Sequence, residues 1–272
     1  MTQVQITLIV EAIIFGLVVG SFLNVCIYRL PKNMSILGRS LCPRCKKTIP
    51  LYRNIPLISY LLQRGKSACC KEVISSQYPI VEALTALLSL VTLLHSHTFV
   101  EYIVWFCLFI CPLIIVSVVD FQLKIIPDQI SIPFIVVGIA VRIYASYPHW
   151  TDALITSGIG ILAGGGSLLL LGEIISRLKK RDAMGGGDIK LAAMLGAFLG
   201  WRAIVFIFFA SSILALIYAL FCVVARKQAE DKTIPFGPFL SMGAMIAFWY
   251  GKTITDWYFL NVANLPFNVL FP

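Results

Sequence analysis

Two carboxylates at the edges of apolar runs are the residues in this sequence best suited to chemistry. Asp188 closes the stretch Gly185-Gly186-Gly187-Asp188 just before a run starting at Ile189, and Asp120 ends another run. An ionisable group at membrane depth is costly, so its default reading is a functional site. Two carboxylates held together cannot both ionise cheaply and share a proton. One then serves as base on a water and the other as acid toward a scissile amide. That is aspartic-protease chemistry. A plainer reading stands beside it, with Asp120 as an interfacial acid at a helix end and the glycines as a loop ahead of a helix.

Helix ends suggest roles for the pair. Asp188 at a helix N-terminus is favoured as the anion and hence the base, while Asp120 at a helix C-terminus holds its proton more tightly. The glycines permit positive φ and the close approach of another backbone, such as an extended substrate strand. A third acid, Asp128, follows Ile125-Ile126-Pro127 and is placed to cap the next helix.

A second cluster is built from sulfur. Cys42-Pro43-Arg44-Cys45 is followed further along one polar stretch by Cys69-Cys70, whereas Cys26, Cys107, Cys111 and Cys222 lie in or beside apolar runs. In a cytosolic loop, metal or redox use is favoured over a disulfide. Four thiolates from Cys42, Cys45, Cys69 and Cys70 would make a tetrahedral structural zinc site able to fold a loop with little core of its own. Adjacent cysteines depart from the usual C-x-x-C spacing. His95 and His97 read as solvated residues of a short loop.

The elements that must position these residues are membrane helices. The chain has 272 residues, of which 59% are hydrophobic and 13% charged, with a mean hydropathy of +0.89. These values exclude a soluble globule and predict an all-α polytopic membrane protein. The net charge of +9 falls between apolar runs, which fits a positive-inside arrangement and not nucleic-acid binding. The N-terminus lacks a basic start and a small-residue cleavage site, so its first run reads as a retained helix.

Apolar runs at about residues 5–28, 78–94, 102–119, 130–146, 154–178, 189–199, 204–225 and 238–250 predict about eight transmembrane helices. The run 189–199 is short, suiting a thinned or water-lined part of the fold. Gly16 and Gly20 have the spacing of a close helix contact. The expected partition is a first transmembrane helix (1–28), a cytoplasmic cysteine-containing domain (29–77) and a seven-helix membrane core (78–272). The second part carries ten Lys or Arg and one acid, Glu72, which places it in the cytoplasm. Basic loops at 177–181 and 226–232 agree, putting both termini outside and Asp120 and Asp188 at the cytoplasmic face.

These residues resemble the bacterial type IV prepilin peptidases. Gly20-Ser21-Phe22-Leu23-Asn24-Val25-Cys26-Ile27-Tyr28-Arg29-Leu30-Pro31 is similar to that family's opening signature. Cys42-Pro43-Arg44-Cys45, Asn54-Ile55-Pro56-Leu57-Ile58-Ser59 and Tyr78-Pro79-Ile80-Val81-Glu82 look like its cytoplasmic domain. Asp120 with Ile126-Pro127-Asp128, and Met184 to Lys190, look like its two catalytic stretches. The resemblance covers nearly the whole chain.

It implies a GxGD aspartic endopeptidase of the bacterial inner membrane that cleaves the leader from type IV prepilins or pseudopilins. In bifunctional members it also implies N-methylation with S-adenosylmethionine, for which the sequence shows no glycine-rich nucleotide loop. Basic loop residues would engage anionic membrane lipids, and the oligomeric state is left open. Aligned on Tyr78-Pro79, the family's second C-x-x-C falls on Ser67 and Cys70. Three arrangements stay open: Cys69 substitutes, another group completes three sulfurs, or the metal site is weakened. The competing readings are a GxGD protease of another substrate class, such as a presenilin-like or archaeal preflagellin peptidase, and a cation- or proton-coupled transporter. The cysteine loop argues against the two proteases.

Overall fold

A computed structural model describes residues 3–42, 44–179, 185–225 and 234–261. Pro43, Met184 and the loop 226–232 lie outside these residues, as does part of the loop 177–181. Among the described residues the chain is helical, with two isolated antiparallel bridges, Leu41 with Thr48 and Lys66 with Val73. Eight helical rods carry the eight expected apolar runs. They are α1 (Gln3–Arg29), α3 (Gln77–His95), α4 (Phe99–Trp105) continuing into α5 (Cys111–Leu123), α6 (Asp128–Ala145), α7 (Trp150–Ile161) continuing into α8 (Ser167–Lys179), α9 (Gly186–Leu199), α10 (Trp201–Val224) and α11 (Gly237–Asn261). A short helix α2 (Ile58–Leu62) lies in the loop between α1 and α3. Single wide turns at Phe106–Ile110 and Leu162–Gly166 join the two composite rods.

Six rods are long and apolar enough to cross a bilayer. The other two are α9, with only 14 residues, and α11. The chain divides into two compact units, Met1–Ile115 and Val116–Pro272.

In the first unit α1 packs along α3 through missing side chains. A Cβ on Gly16 would fall 2.6 Å from the Ala86 Cα, and one on Gly20 would fall 2.8 Å from the Glu82 Cα. The Gly16/Gly20 spacing is therefore a helix contact, as small residues at four-residue spacing predict. The Ser89 hydroxyl, buried in the same seam, donates to the Ala12 carbonyl at 2.8 Å and meets the Tyr102 hydroxyl at 2.6 Å.

The second unit is organised around α9. Every residue from Leu191 to Phe198 is buried, against α6, α7, α10 and α11. The short helix is sheathed by protein along Leu191–Phe198, so it is not water-lined there. Neighbouring helices cover it, so its length need not match the hydrocarbon thickness. Gly160 and Gly164 on one side oppose Ala192 and Gly196 on the other. A Cβ on Gly196 would lie 2.0 Å from the Gly160 carbonyl oxygen, and one on Gly164 would lie 2.3 Å from that of Ala192. Arg142 closes the far end, donating from Nη1 to the Phe198 carbonyl at 3.2 Å.

Candidate active site and metal centre

Asp120 lies within the last turn of α5, which ends where Lys124 takes a left-handed conformation (φ 55°) and donates its amide to the Asp120 carbonyl at 2.9 Å. That reversal sends Ile125, Ile126 and Pro127 back to start α6. The Asp120 side chain is buried, and its Oδ2 accepts the Gly237 amide at 2.9 Å. Gly237 is the first residue of α11, so the carboxylate faces a helix N-terminus. Asp188 lies in the first turn of α9, its amide bonded to the Gly185 carbonyl at 3.1 Å. Both acids thus face the positive end of a helix dipole. The asymmetry that would make Asp188 alone the base is removed.

Ile126 brings the two acids together. A Cβ on Gly187 would fall 2.9 Å from the Ile126 Cβ. One on Gly237 would fall 2.7 Å from the Asp120 Oδ2 and 3.2 Å from the Ile126 Cδ1. One side chain therefore packs on the glycine preceding Asp188 and on the glycine that holds Asp120. The carboxylates are close enough for the charge of Asp120 to act on Asp188.

The glycines before Asp188 do not serve a positive φ. None of the three has one, and Gly185 is extended at φ −68°, ψ 132°. Gly187 is required by the close approach of Ile126, whereas a Cβ on Gly186 would meet nothing within 4 Å. Asp128 departs from its expected role as well. No side chain caps α6, and the Asp128 carboxylate instead receives Lys190 Nζ at 2.7 and 2.8 Å. Lys190 lies two residues after Asp188 on α9, so this pair ties the start of α6 to the start of α9.

The second cluster belongs to the first unit. The Sγ atoms of Cys42, Cys45, Cys69 and Cys70 all lie within 4.8 Å of one another. Cys42 to Cys70 is 3.7 Å, Cys45 to Cys69 is 3.2 Å and Cys69 to Cys70 is 3.9 Å. A tetrahedral zinc with Zn–S of about 2.3 Å needs sulfurs roughly 3.8 Å apart, so the four residues fit the ion.

Two backbone loops of one design present them. The Cys42 amide donates to the Lys47 carbonyl, and the Lys46 amide returns to Cys42. The Ser67 amide likewise donates to Glu72, and the Lys71 amide returns to Ser67. Lys46 and Lys71 share a φ of 58°. Ser67 therefore occupies the position equivalent to Cys42, and Cys69 supplies the sulfur from a neighbouring one. The Ser67 hydroxyl lies 2.9 Å from the Cys69 Sγ. It holds that thiol below its ordinary value, aided by the Cys45 thiol. The Cys42 thiol is lowered to about 6, chiefly by the Cys45 amide, so its ligand form is available at neutral pH.

Sequence reasoning assigned no role to Gly237, and it named Ile126 and Lys190 only as members of stretches that resemble the family's, without a function of their own. Gly237 and Ile126 are glycine and alkyl, types that carry no chemical signal. The first unit also holds Glu82, a buried acid inside an apolar run. The rule that singled out Asp120 could have found it.

Comparison with known proteins identifies the family. The family described as Bacterial Peptidase A24 N-terminal domain matches residues 14–96, and the Type IV leader peptidase family matches residues 107–220. Curated relatives include the prepilin leader peptidase/N-methyltransferase of Aeromonas salmonicida (strain A449), 33% identical with 92% of this chain and 93% of the relative covered. That of Pseudomonas aeruginosa is 32% identical over 90% and 91%, and that of Legionella pneumophila 32% over 90% and 92%. No solved structure matches the chain. With both family segments matched in order and relatives of this identity aligned along nine-tenths of its length, the chain belongs to the type IV leader peptidase family.

Proposed function

We propose that this protein is a membrane aspartic endopeptidase that removes the leader from type IV prepilins or pseudopilins and then N-methylates the exposed residue. The observation that carries the reading is the convergence of Asp120 and Asp188 about Ile126, each carboxylate at a helix N-terminus. The pair works as one unit with a shared proton. One carboxylate draws a proton from a water as its oxygen bonds to the scissile carbonyl carbon. The other gives its proton to the amide nitrogen as the C–N bond breaks, and the amine leaves. The Gly237 amide holds the Asp120 carboxylate in orientation throughout.

The inner membrane is the setting, with residues 29–77 as a cytoplasmic domain, residues 78–272 as the membrane core, both termini outside and the dyad near the cytoplasmic face. Positive-inside loops support that orientation. Cys42, Cys45, Cys69 and Cys70 would hold a structural zinc that folds a loop with little apolar core. S-adenosylmethionine, when bound, supplies the methyl group for the new N-terminal amine. The pilin's apolar helix packs laterally between membrane segments while basic loop residues meet anionic lipid.

Cleavage of a prepilin by the purified protein tests this reading, with loss expected in both Asp120→Asn and Asp188→Asn. Cleavage that persists in either variant overturns the dyad. Absence of cleavage by the wild-type protein would instead favour a cation or proton site of the kind found in transporters.

A further inference from the structure

The end of the second unit opposite the two acids holds a pair of arginines. Asp128 starts α6 and Asp188 lies in the first turn of α9, whereas Arg142 lies in the last turn of α6 and Arg202 in the first turn of α10. Both arginines are half-buried.

Arg142 has a use in the fold. Its Nη1 donates to the Phe198 carbonyl at 3.2 Å, and its Nε reaches the Thr156 hydroxyl at 3.4 Å. The guanidinium is pressed on Gly200, where a Cβ would fall 3.0 Å from Nη2 and 3.1 Å from Cζ. Gly200 has φ 79° and immediately precedes α10. Among the described residues Nη2 itself meets no acceptor.

Arg202 has no such use. Its Nε is buried without an acceptor, and the guanidinium makes no hydrogen bond among the described residues. Its one neighbour of note is the Trp201 ring, with Cζ 5.5 Å from the ring centre. The charge of Arg202 acts on Arg142, so two like charges stand side by side. Among the described residues neither pairs with an acid. The first turn of α10 holds no acidic residue and no side chain caps it, so the positive end of that helix dipole adds to the two charges. Ionisable groups at membrane depth are normally paired, and arginine is disfavoured on the outer side, where the proposed orientation puts both. The partner that the protein does not supply is an anion.

Its surroundings define which anion fits. Guanidinium forks match the oxygens of a phosphate group. Tyr144, Tyr147 and Trp150 are exposed around the turn from α6 to α7, and such residues gather at the level of lipid head groups. On the Arg202 side of α10, Val205, Phe209 and Ile213 are exposed at three- and four-residue spacing, an apolar track along which an acyl chain can lie. With no acid paired to either arginine, nothing is arranged to take the ammonium of a zwitterionic head group. We infer that Arg142 and Arg202 form a binding site for the phosphate of an anionic phospholipid, at the membrane boundary opposite the acid dyad. Arg142 Nη2 and the Arg202 guanidinium donate to the phosphate oxygens, and an acyl chain follows α10 past Phe209.

The test uses the full-length protein in detergent, with phosphatidylglycerol, phosphatidylcholine and inorganic phosphate as probes and native mass spectrometry as the readout. The wild type should bind phosphatidylglycerol on the order of tenfold or more tighter than phosphatidylcholine, and millimolar inorganic phosphate should not displace it. Arg202→Gln and Arg142→Gln should each lose that preference, because each removes charge-assisted bonds to the phosphate. Arg177→Gln, which alters the exposed pair with Glu173 on α8, should keep it. Arg142 also closes α9, so if Arg142→Gln does not fold, Arg202→Gln decides. Equal binding of the two lipids by the wild type, or an unchanged preference in Arg202→Gln, overturns the site. Displacement by inorganic phosphate overturns the lipid and leaves a site for the free anion. None of these readouts depends on the peptidase or methyltransferase reading.

Discussion

The ammonium of Lys190 lies 2.7 and 2.8 Å from the two carboxylate oxygens of Asp128, fastening the first turn of α9 to the first turn of α6. Asp188 is in the first turn of α9, and Ile126 lies two residues before α6. The pair therefore ties the helix that carries Asp188 to the helix that follows Ile126, without belonging to the dyad. Its side chains are 40% and 58% exposed, and exposed pairs contribute only about 0.2–1 kcal/mol. Lys190→Met should leave thermal unfolding nearly unchanged while prepilin cleavage falls on the order of tenfold or more, since small misplacements of reacting groups are costly. Lys190→Arg should recover part of the loss. Full cleavage in Lys190→Met would remove the pair from the mechanism.

Two adjacent glycines should respond oppositely to one added carbon. Alanine usually stabilises a helix by roughly 0.5–1 kcal/mol relative to glycine, and Gly186→Ala meets nothing within 4 Å. That variant should cleave normally. Gly187→Ala drives its Cβ to 2.9 Å from the Ile126 Cβ, which displaces the side chain packed against Gly237 and the Asp120 carboxylate. Cleavage should fall on the order of a hundredfold. Equal rates for the two variants, measured on one prepilin, would contradict the packing argument.

The contrast between these glycines shows where the sequence was legible. Asp120 and Asp188 stand out because a charge beside an apolar run is expensive wherever it occurs. The helices stand out because twenty apolar residues have few other uses. The contact that joins the acids is made by Ile126, Gly187 and Gly237; the sequence marks Gly187 as one of three glycines before an acid, but nothing in it says that Ile126 packs there or that Gly237 holds Asp120. The reading of the glycines as sites of positive φ failed because α9 starts at Gly186, two residues before the acid, so that Gly186 and Gly187 are already helical. Asp128 misled for a related reason: an acid at a helix start can cap, yet Lys190 lies far away in sequence and competes for it. The burial of α9 was hidden too, since its shortness was weighed against bilayer thickness and not against the helices that enclose it.

The seam between α7 and α9 should be intolerant of any side chain. A Cβ on Gly196 would stand 2.0 Å from the Gly160 carbonyl oxygen, and backbone on both sides leaves no rotamer to relieve it. Gly196→Ala should destabilise the protein by about 1–3 kcal/mol, the usual cost of overpacking a well-filled interior. Gly166→Ala, with nothing within 4 Å, should not. Thermal unfolding of both variants in the same detergent checks this, and a Gly196→Ala protein as stable as the wild type would refute the close approach of these helices.

The cysteine cluster makes the most specific prediction, because its two loops share one backbone design while only Cys45 and Cys70 share a position. Cys69 reaches the cluster from the residue before Cys70, and Ser67 occupies the place that corresponds to Cys42. Removing the sulfur in Cys69→Ser should cut zinc content of the purified protein well below one ion per chain. Adding Ser67→Cys to that variant should restore it, since the new thiol enters where the loop geometry already presents a ligand. Ser67→Ala alone should retain zinc with affinity about 10- to 100-fold weaker, the usual effect of losing a hydrogen bond to a ligand. Zinc measured by mass spectrometry of elements, before and after a chelator challenge, separates these outcomes. Restoration failing in the double variant would mean that Ser67 and Cys42 are not equivalent. Zinc retained by Cys69→Ser would mean that the cluster closes on three sulfurs and a different fourth group.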